Sequence, residues 1–85
     1  MSKVTIRYWA AAKDAAGVAE EAVAAETLAD ALDIARNRHA DPRFAPVLAR
    51  SSFLVDGAQA GRHAAETITL PDGAVIEVLP PFAGG

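Results

Sequence analysis

Between Thr27 and His39 the apolar residues Leu28, Ala31, Leu32 and Ala35 recur at the spacing that gathers side chains on one stripe of a helix, and no other stretch holds that spacing for as long. Thr27 followed three residues later by Asp30 resembles a capping box. The hydroxyl accepts a free backbone N–H, and the acid faces the positive end of the helix dipole. Arg36, Arg38 and His39 suit the negative end, and Asp41-Pro42 stops the helix. The spacing therefore predicts a helix from Leu28 to His39. One helix of this kind covers one face of one sheet, so the rest of an 85-residue chain must supply that sheet. A second core would leave neither half enough apolar surface to fold. The fold class expected is α+β: two layers, a mixed sheet and one main helix packed on one face.

The strands are read from alternation. From Lys3 to Trp9, Val4, Ile6 and Tyr8 point one way, and Thr5, Arg7 and Trp9 the other. The following "AAAKDAAG" fits a helical turn or a hairpin loop, and periodicity does not decide between them; a loop is expected, then a second strand around Glu20 to Ala24. "FAPVLARS" is expected to form a short turn or one helical turn. "SFLVDG" reads as a strand entering an Asp-Gly turn. "AQAGRHAAE" carries little pattern. "TITL", the turn "PDG" and "AVIEVL" complete the sheet, the last strand turning Ala74, Ile76 and Val78 inward and Val75, Glu77 and Leu79 outward. Trp9 and Leu79 then lie on the face away from the helix. Trp9 either tucks against a loop or joins Leu79 in a docking patch.

Several functions are excluded or disfavoured by composition. Cysteine is absent, which removes disulfides, thiolate metal sites and any cysteine nucleophile or persulfide. A net charge of −3 without a basic cluster argues against nucleic acid. No apolar run is long enough to cross a bilayer, and "MSKVTIRYW" enters a strand pattern directly, so no membrane association and a cytoplasmic location are the expectation. His39 and His63 are too isolated to suggest a metal site, and His39 reads as a helix-end cation. Asp14, Glu20, Glu21 and Glu26 read as solvated charges on or near loops, and Tyr8 as a structural core residue. No Walker-type glycine loop is present, so no cofactor is expected on this chain.

The last six residues have a different character. Pro80 and Pro81 cannot donate to a ladder, so the final strand ends and an extended, stiff segment leaves it. The expected organisation is a domain over 1–79 and an extended tail over 80–85. Phe82, Ala83, Gly84 and Gly85 would reach about 13 Å at roughly 3.3 Å per residue. Without side chains on the last two links, the terminal carboxylate is able to thread a narrow passage.

"VTIRYWA", "KDAAG", the Asp-Gly turn before the last strand and above all "VLPPFAGG" resemble the MoaD/ThiS sulfur carriers, most like the MoaD branch, the small subunits of molybdopterin synthase. The resemblance covers essentially the whole chain, and the PP-x-x-GG ending is its most specific part. It implies the ubiquitin-like β-grasp fold, in which the first and last strands are neighbours, bringing Trp9 and Leu79 into one patch. It also implies a mechanism. A ubiquitin-activating-like adenylating enzyme uses ATP to convert the Gly85 carboxylate to an acyl-adenylate, and a sulfur donor attacks it to leave a thiocarboxylate. The large synthase subunit, in an assembly of two small and two large subunits, then takes the tail and passes sulfur to a pterin precursor. Trp9, Leu79 and Lys13 are the expected partner-binding residues, and Pro80 to Gly84 the threading segment. This chain has Lys13 where family members often have arginine, and Ala58 to Ala65 is longer and more polar than the family pattern. Other readings are a carrier for thiamine or cysteine synthesis, a ubiquitin-like modifier joined through Gly85 to lysines, and an interaction domain with an idle tail.

Overall fold

A computed structural model describes residues 1–60 and 65–81. The elements are β1 (Ser2–Tyr8), α1 (Ala10–Ala16), β2 (Glu20–Ala25), α2 (Leu28–Arg38), α3 (Phe44–Arg50), β3 (Ser52–Val55), β4 (Ala58–Ala60) and β5 (Val75–Leu79). The strands form one mixed sheet in the order β2-β1-β5-β3-β4. β1 and β5 run parallel at its centre, with Tyr8 opposite Val78, and the other pairings are antiparallel. The first and last strands are therefore neighbours in a ubiquitin-like β-grasp sheet.

α2 begins as its sequence requires. The Asp30 N–H donates to Thr27 Oγ1 at 3.1 Å, and Leu28, Ala31, Leu32 and Ala35 are buried against the sheet. The sheet side of this core comes from Val4, Ile6, Tyr8, Val23, Phe53, Ile76 and Val78. Burying each larger aliphatic side chain contributes about 1.5–3 kcal/mol, so this two-layer contact dominates the favourable energy of folding. The helix ends at Arg38 and His39 is its C-cap, the His39 N–H donating to the Ala35 carbonyl at 3.1 Å.

Two turns hold the sheet in register. Asp56 and Gly57 both have positive φ, 50° and 83°, the pattern of a two-residue hairpin turn that follows the natural strand twist. Asp56 also ties this hairpin to β5: its N–H donates to the Val75 carbonyl and its Oδ1 accepts from the Val75 N–H, both at 2.9 Å. Just before β5, Asp72 Oδ1 accepts from the Lys3 N–H at 2.8 Å, and the Gly73 N–H donates to the Lys3 carbonyl at 2.8 Å. The starts of β1 and β5 are thus pinned together.

Four local expectations are corrected. "AAAKDAA" is the helix α1 and not a loop; Gly17 closes it at φ 77°, its N–H donating to the Lys13 carbonyl at 2.9 Å. "FAPVLAR" forms a seven-residue helix, α3, longer than one turn, because Phe44 and Leu48 are both buried. Ala58–Ala60, where little pattern was visible, is a strand paired to β3. "TITL" contributes a single bridge, Thr27 to Thr69, and the buried Leu70, but no strand. The expected tail residues Phe82, Ala83, Gly84 and Gly85, and also His63, lie outside the described residues.

Candidate functional site

β1 and β5 end side by side, and Pro80 and Pro81 follow β5 at this point. Trp9 continues β1 by one residue in extended conformation, with φ −119° and ψ 151°, and its N–H donates to the Val78 carbonyl at 3.3 Å. The parallel register that pairs Tyr8 with Val78 carries Trp9 to the level of Leu79. By alternation both side chains sit on the face away from α2. Trp9 is 46% exposed, an unusual fraction for the largest apolar side chain in the molecule, while Leu79 and Pro80 are half-buried and Pro81 is exposed.

Immediately after Trp9 the chain turns sharply. Ala10 has φ 48°, a left-handed value that strains a residue with a β-carbon, and α1 starts from it. That turn folds α1 back so that the Lys13 N–H donates to the Trp9 carbonyl at 3.3 Å. Trp9 and Lys13 consequently line one shallow cleft of about 250 Å³, together with Arg7, Tyr8, Ala19 and Glu20. Arg7 Nε lies 3.5 Å from Glu20 Oε1 across the β1–β2 pair, and both side chains are well exposed. The surface around the end of β5 thus combines an indole, two apolar neighbours, the Arg7–Glu20 pair and the Lys13 cation. Arg7 and Glu20 are additions to the expected set, and the strand alternation that placed Arg7 beside Trp9's face was the signal for them.

The opposite face of β1's end is closed. Tyr8 is 2% exposed, and its ring packs edge-on to Phe44 at 5.5 Å and to His39 at 5.8 Å between centroids. Its hydroxyl donates to Glu21 Oε2, which also accepts from His39 Nε2, while Arg38 Nη1 donates to Glu21 Oε1 at 3.1 Å. Burial by itself would raise the Glu21 pKa, but the hydrogen bonds from Tyr8, His39 and Arg38 together outweigh it and hold the carboxyl below its usual range. Burial and the Glu21 carboxylate push the Tyr8 phenol up. Glu21 is therefore not a solvated charge, and His39 is more than a helix-end cation: its ring is wedged at 4.8 Å from Phe44 and bonded to Glu21. Tyr8 is structural, as expected. Among the described residues no cluster of three or more His, Cys, Asp or Glu is placed to hold a metal ion.

The ThiS family matches residues 6–85, almost the entire chain. This chain belongs to the ThiS family. No curated protein matches it in sequence. Among solved structures it is similar to a putative molybdopterin converting factor, subunit 1, from Pyrococcus furiosus, with 25% identity and a TM-score of 0.78 over 95% of this chain and 99% of that one. It shares its fold with the small archaeal modifier protein 1 from Methanosarcina acetivorans, at 22% identity and a TM-score of 0.83 over 100% and 98% of the two chains. It also shares it with the complex of subunits 1 and 2 of molybdopterin-converting factor from Helicobacter pylori 26695, at 20% identity and a TM-score of 0.72 over 98% and 99%. The chain is thus a small carrier-type protein of the MoaD/ThiS sulfur-carrier group with a ubiquitin-like β-grasp fold. Among the described residues no helix is long and apolar enough to cross a membrane.

Proposed function

We propose that this protein is a sulfur carrier that serves as the small subunit of a molybdopterin synthase. The observation that carries the reading is the Pro80-Pro81 to Gly84-Gly85 run leaving β5 beside the exposed Trp9 and the Lys13 cleft. The surface docks a larger partner, and the tail reaches from it into that partner's active site. A free carboxylate is a poor acyl donor, because its charge repels nucleophiles and oxide would have to leave. The Gly85 carboxylate therefore attacks the α-phosphate of ATP on an adenylating partner, releasing pyrophosphate and giving the acyl-adenylate. Sulfur from a donor then displaces AMP to leave the thiocarboxylate. The sulfur rides on the backbone terminus, which suits a chain without cysteine. This chain binds no cofactor of its own; the nucleotide belongs to the adenylating enzyme.

A modifier role is the second reading, favoured by the fold shared with the small archaeal modifier proteins. There Gly85 would form an isopeptide bond to target lysines. The two are separated by supplying the thiocarboxylated chain to a large synthase subunit with its pterin precursor, and separately to a cell extract with ATP. Dithiolene formation with no lysine conjugates supports the carrier. Conjugates without dithiolene formation would replace it with the modifier.

A further inference from the structure

β2 is an edge strand, paired on one side only. The Tyr8 N–H donates to the Ala19 carbonyl at 2.9 Å, which makes Ile6–Glu21, Val4–Val23 and Ser2–Ala25 the hydrogen-bonded pairs of the β1–β2 ladder. Glu20, Ala22 and Ala24 therefore direct their N–H and C=O groups away from the sheet. Arg38 verifies this independently, because its Nη1 donates to the Ala22 carbonyl at 3.0 Å from outside the ladder. That contact, with the Arg38–Glu21 pair, closes one end of the edge. Beyond it Ala24 has no partner for its outward groups among the described residues, and its exposed methyl side chain adds no bulk. An edge strand left open in this way is a template for another strand.

The space alongside this edge has a definite chemistry. A groove of about 420 Å³ between β2 and α2 is bordered by Met1, Ala24, Glu26, Asp30, Asp33, Ile34 and Asn37. Three of these are acids, against one basic group, the α-amine of the exposed Met1. Ile34 is half-buried and gives the groove its apolar floor. Ala24 pairs with Lys3 near the start of β1, whereas the tail leaves beyond Tyr8 and Val78 at the other end of the strand. A partner seated here leaves the Trp9 surface uncovered.

We propose that the β2 edge and the β2–α2 groove dock an extended, basic segment of a partner protein. The segment adds to the sheet as a further strand pairing at Ala24. An aliphatic side chain lies over Ile34, and lysine or arginine side chains meet Glu26, Asp30 and Asp33. Backbone pairing supplies affinity, and the acids select charge. A second copy of this chain is a poor occupant, since it would bring the same acids against each other.

The test is an NMR titration of the full chain with a synthetic peptide of about ten residues, alternating valine and threonine with lysines at both ends, long enough to span β2. Saturable shifts at Ala24 and Ile34 and slowed exchange of the Ala24 amide are expected. The same peptide with glutamates for lysines should bind at least about tenfold more weakly. Ala24→Pro removes an N–H that makes no bond to β1, so it should abolish binding with little change in Tm. Should that variant fail to fold, Asp30→Asn combined with Asp33→Asn keeps the test open: peptide affinity should fall several-fold at low salt and much less at high salt. No binding, shifts confined to β4 or Trp9, undiminished binding by both variants, or self-association of the chain through β2 without peptide would each overturn the proposal.

Discussion

Tyr8 and Trp9 are adjacent in the chain, and the fold treats them in opposite ways. Tyr8 is 2% exposed, with two rings packed on it and its hydroxyl bonded to Glu21; Trp9 is 46% exposed on the other face of the same strand end. A buried tyrosine needs a partner for its hydroxyl, and β2, α2 and α3 converge to supply one and to surround the ring. An exposed indole is not needed for the core, and here it lines one cleft with Lys13. One side of β1 holds the molecule together, and the other presents an indole to solvent.

The comparison breaks most visibly in stability. Tyr8→Ala should cost about 3–5 kcal/mol in urea unfolding, since it empties a packed site and strips Glu21 of a donor. Trp9→Ala should cost less than about 1 kcal/mol, in the range of surface changes. Equal losses would mean that Trp9 is part of the core and that the two faces have been assigned wrongly.

Binding should reverse the ranking. With a large synthase subunit titrated calorimetrically, Trp9→Ala should weaken association by about 2 kcal/mol, some thirtyfold, as for an aromatic anchor at an interface. Lys13→Glu should weaken it by a smaller factor that shrinks in salt. Tyr8→Phe, which keeps the ring, should leave binding unchanged. A partner indifferent to Trp9 would leave the indole without the role given to it.

The smallest effect is in pH. The folded state holds the Glu21 carboxyl below its usual range, so the stability it contributes is fully present above about pH 4 and is lost as pH falls through the depressed folded value. Thermal unfolding of Tyr8→Phe should therefore show a shallower fall in Tm on acidification than the parent, because one of the bonds depressing that pKa is gone. Parallel curves for the two proteins would remove Tyr8 from the list of causes.

How far the sequence foretold these two faces differs from element to element. α2 was legible because large and small apolar residues alternate with charge at helical spacing and Thr27 caps it through the Asp30 N–H. α1 was not, because a run of alanines has no amphipathic contrast; the clue was Gly17, which takes the left-handed conformation that ends a helix. Strand alternation placed Trp9 on the outward face but left open whether it tucks against a loop, and only the fold leaves it 46% exposed. The Glu21 network did not, since His39 and Tyr8 reach Glu21 from 18 and 13 residues away and only the fold brings them together. Arg7 shares Trp9's face by strand alternation, but the cleft it lines depends on the turn at Ala10, which a non-glycine sequence does not announce.

If sulfur is carried on Gly85, the intact mass of the protein reports it. After incubation with an adenylating partner, ATP and a sulfur donor, the account predicts a gain equal to exchange of one oxygen for one sulfur, absent when Gly85 is deleted or a residue is added after it. An unchanged mass, under conditions that convert another carrier of this family, would contradict it.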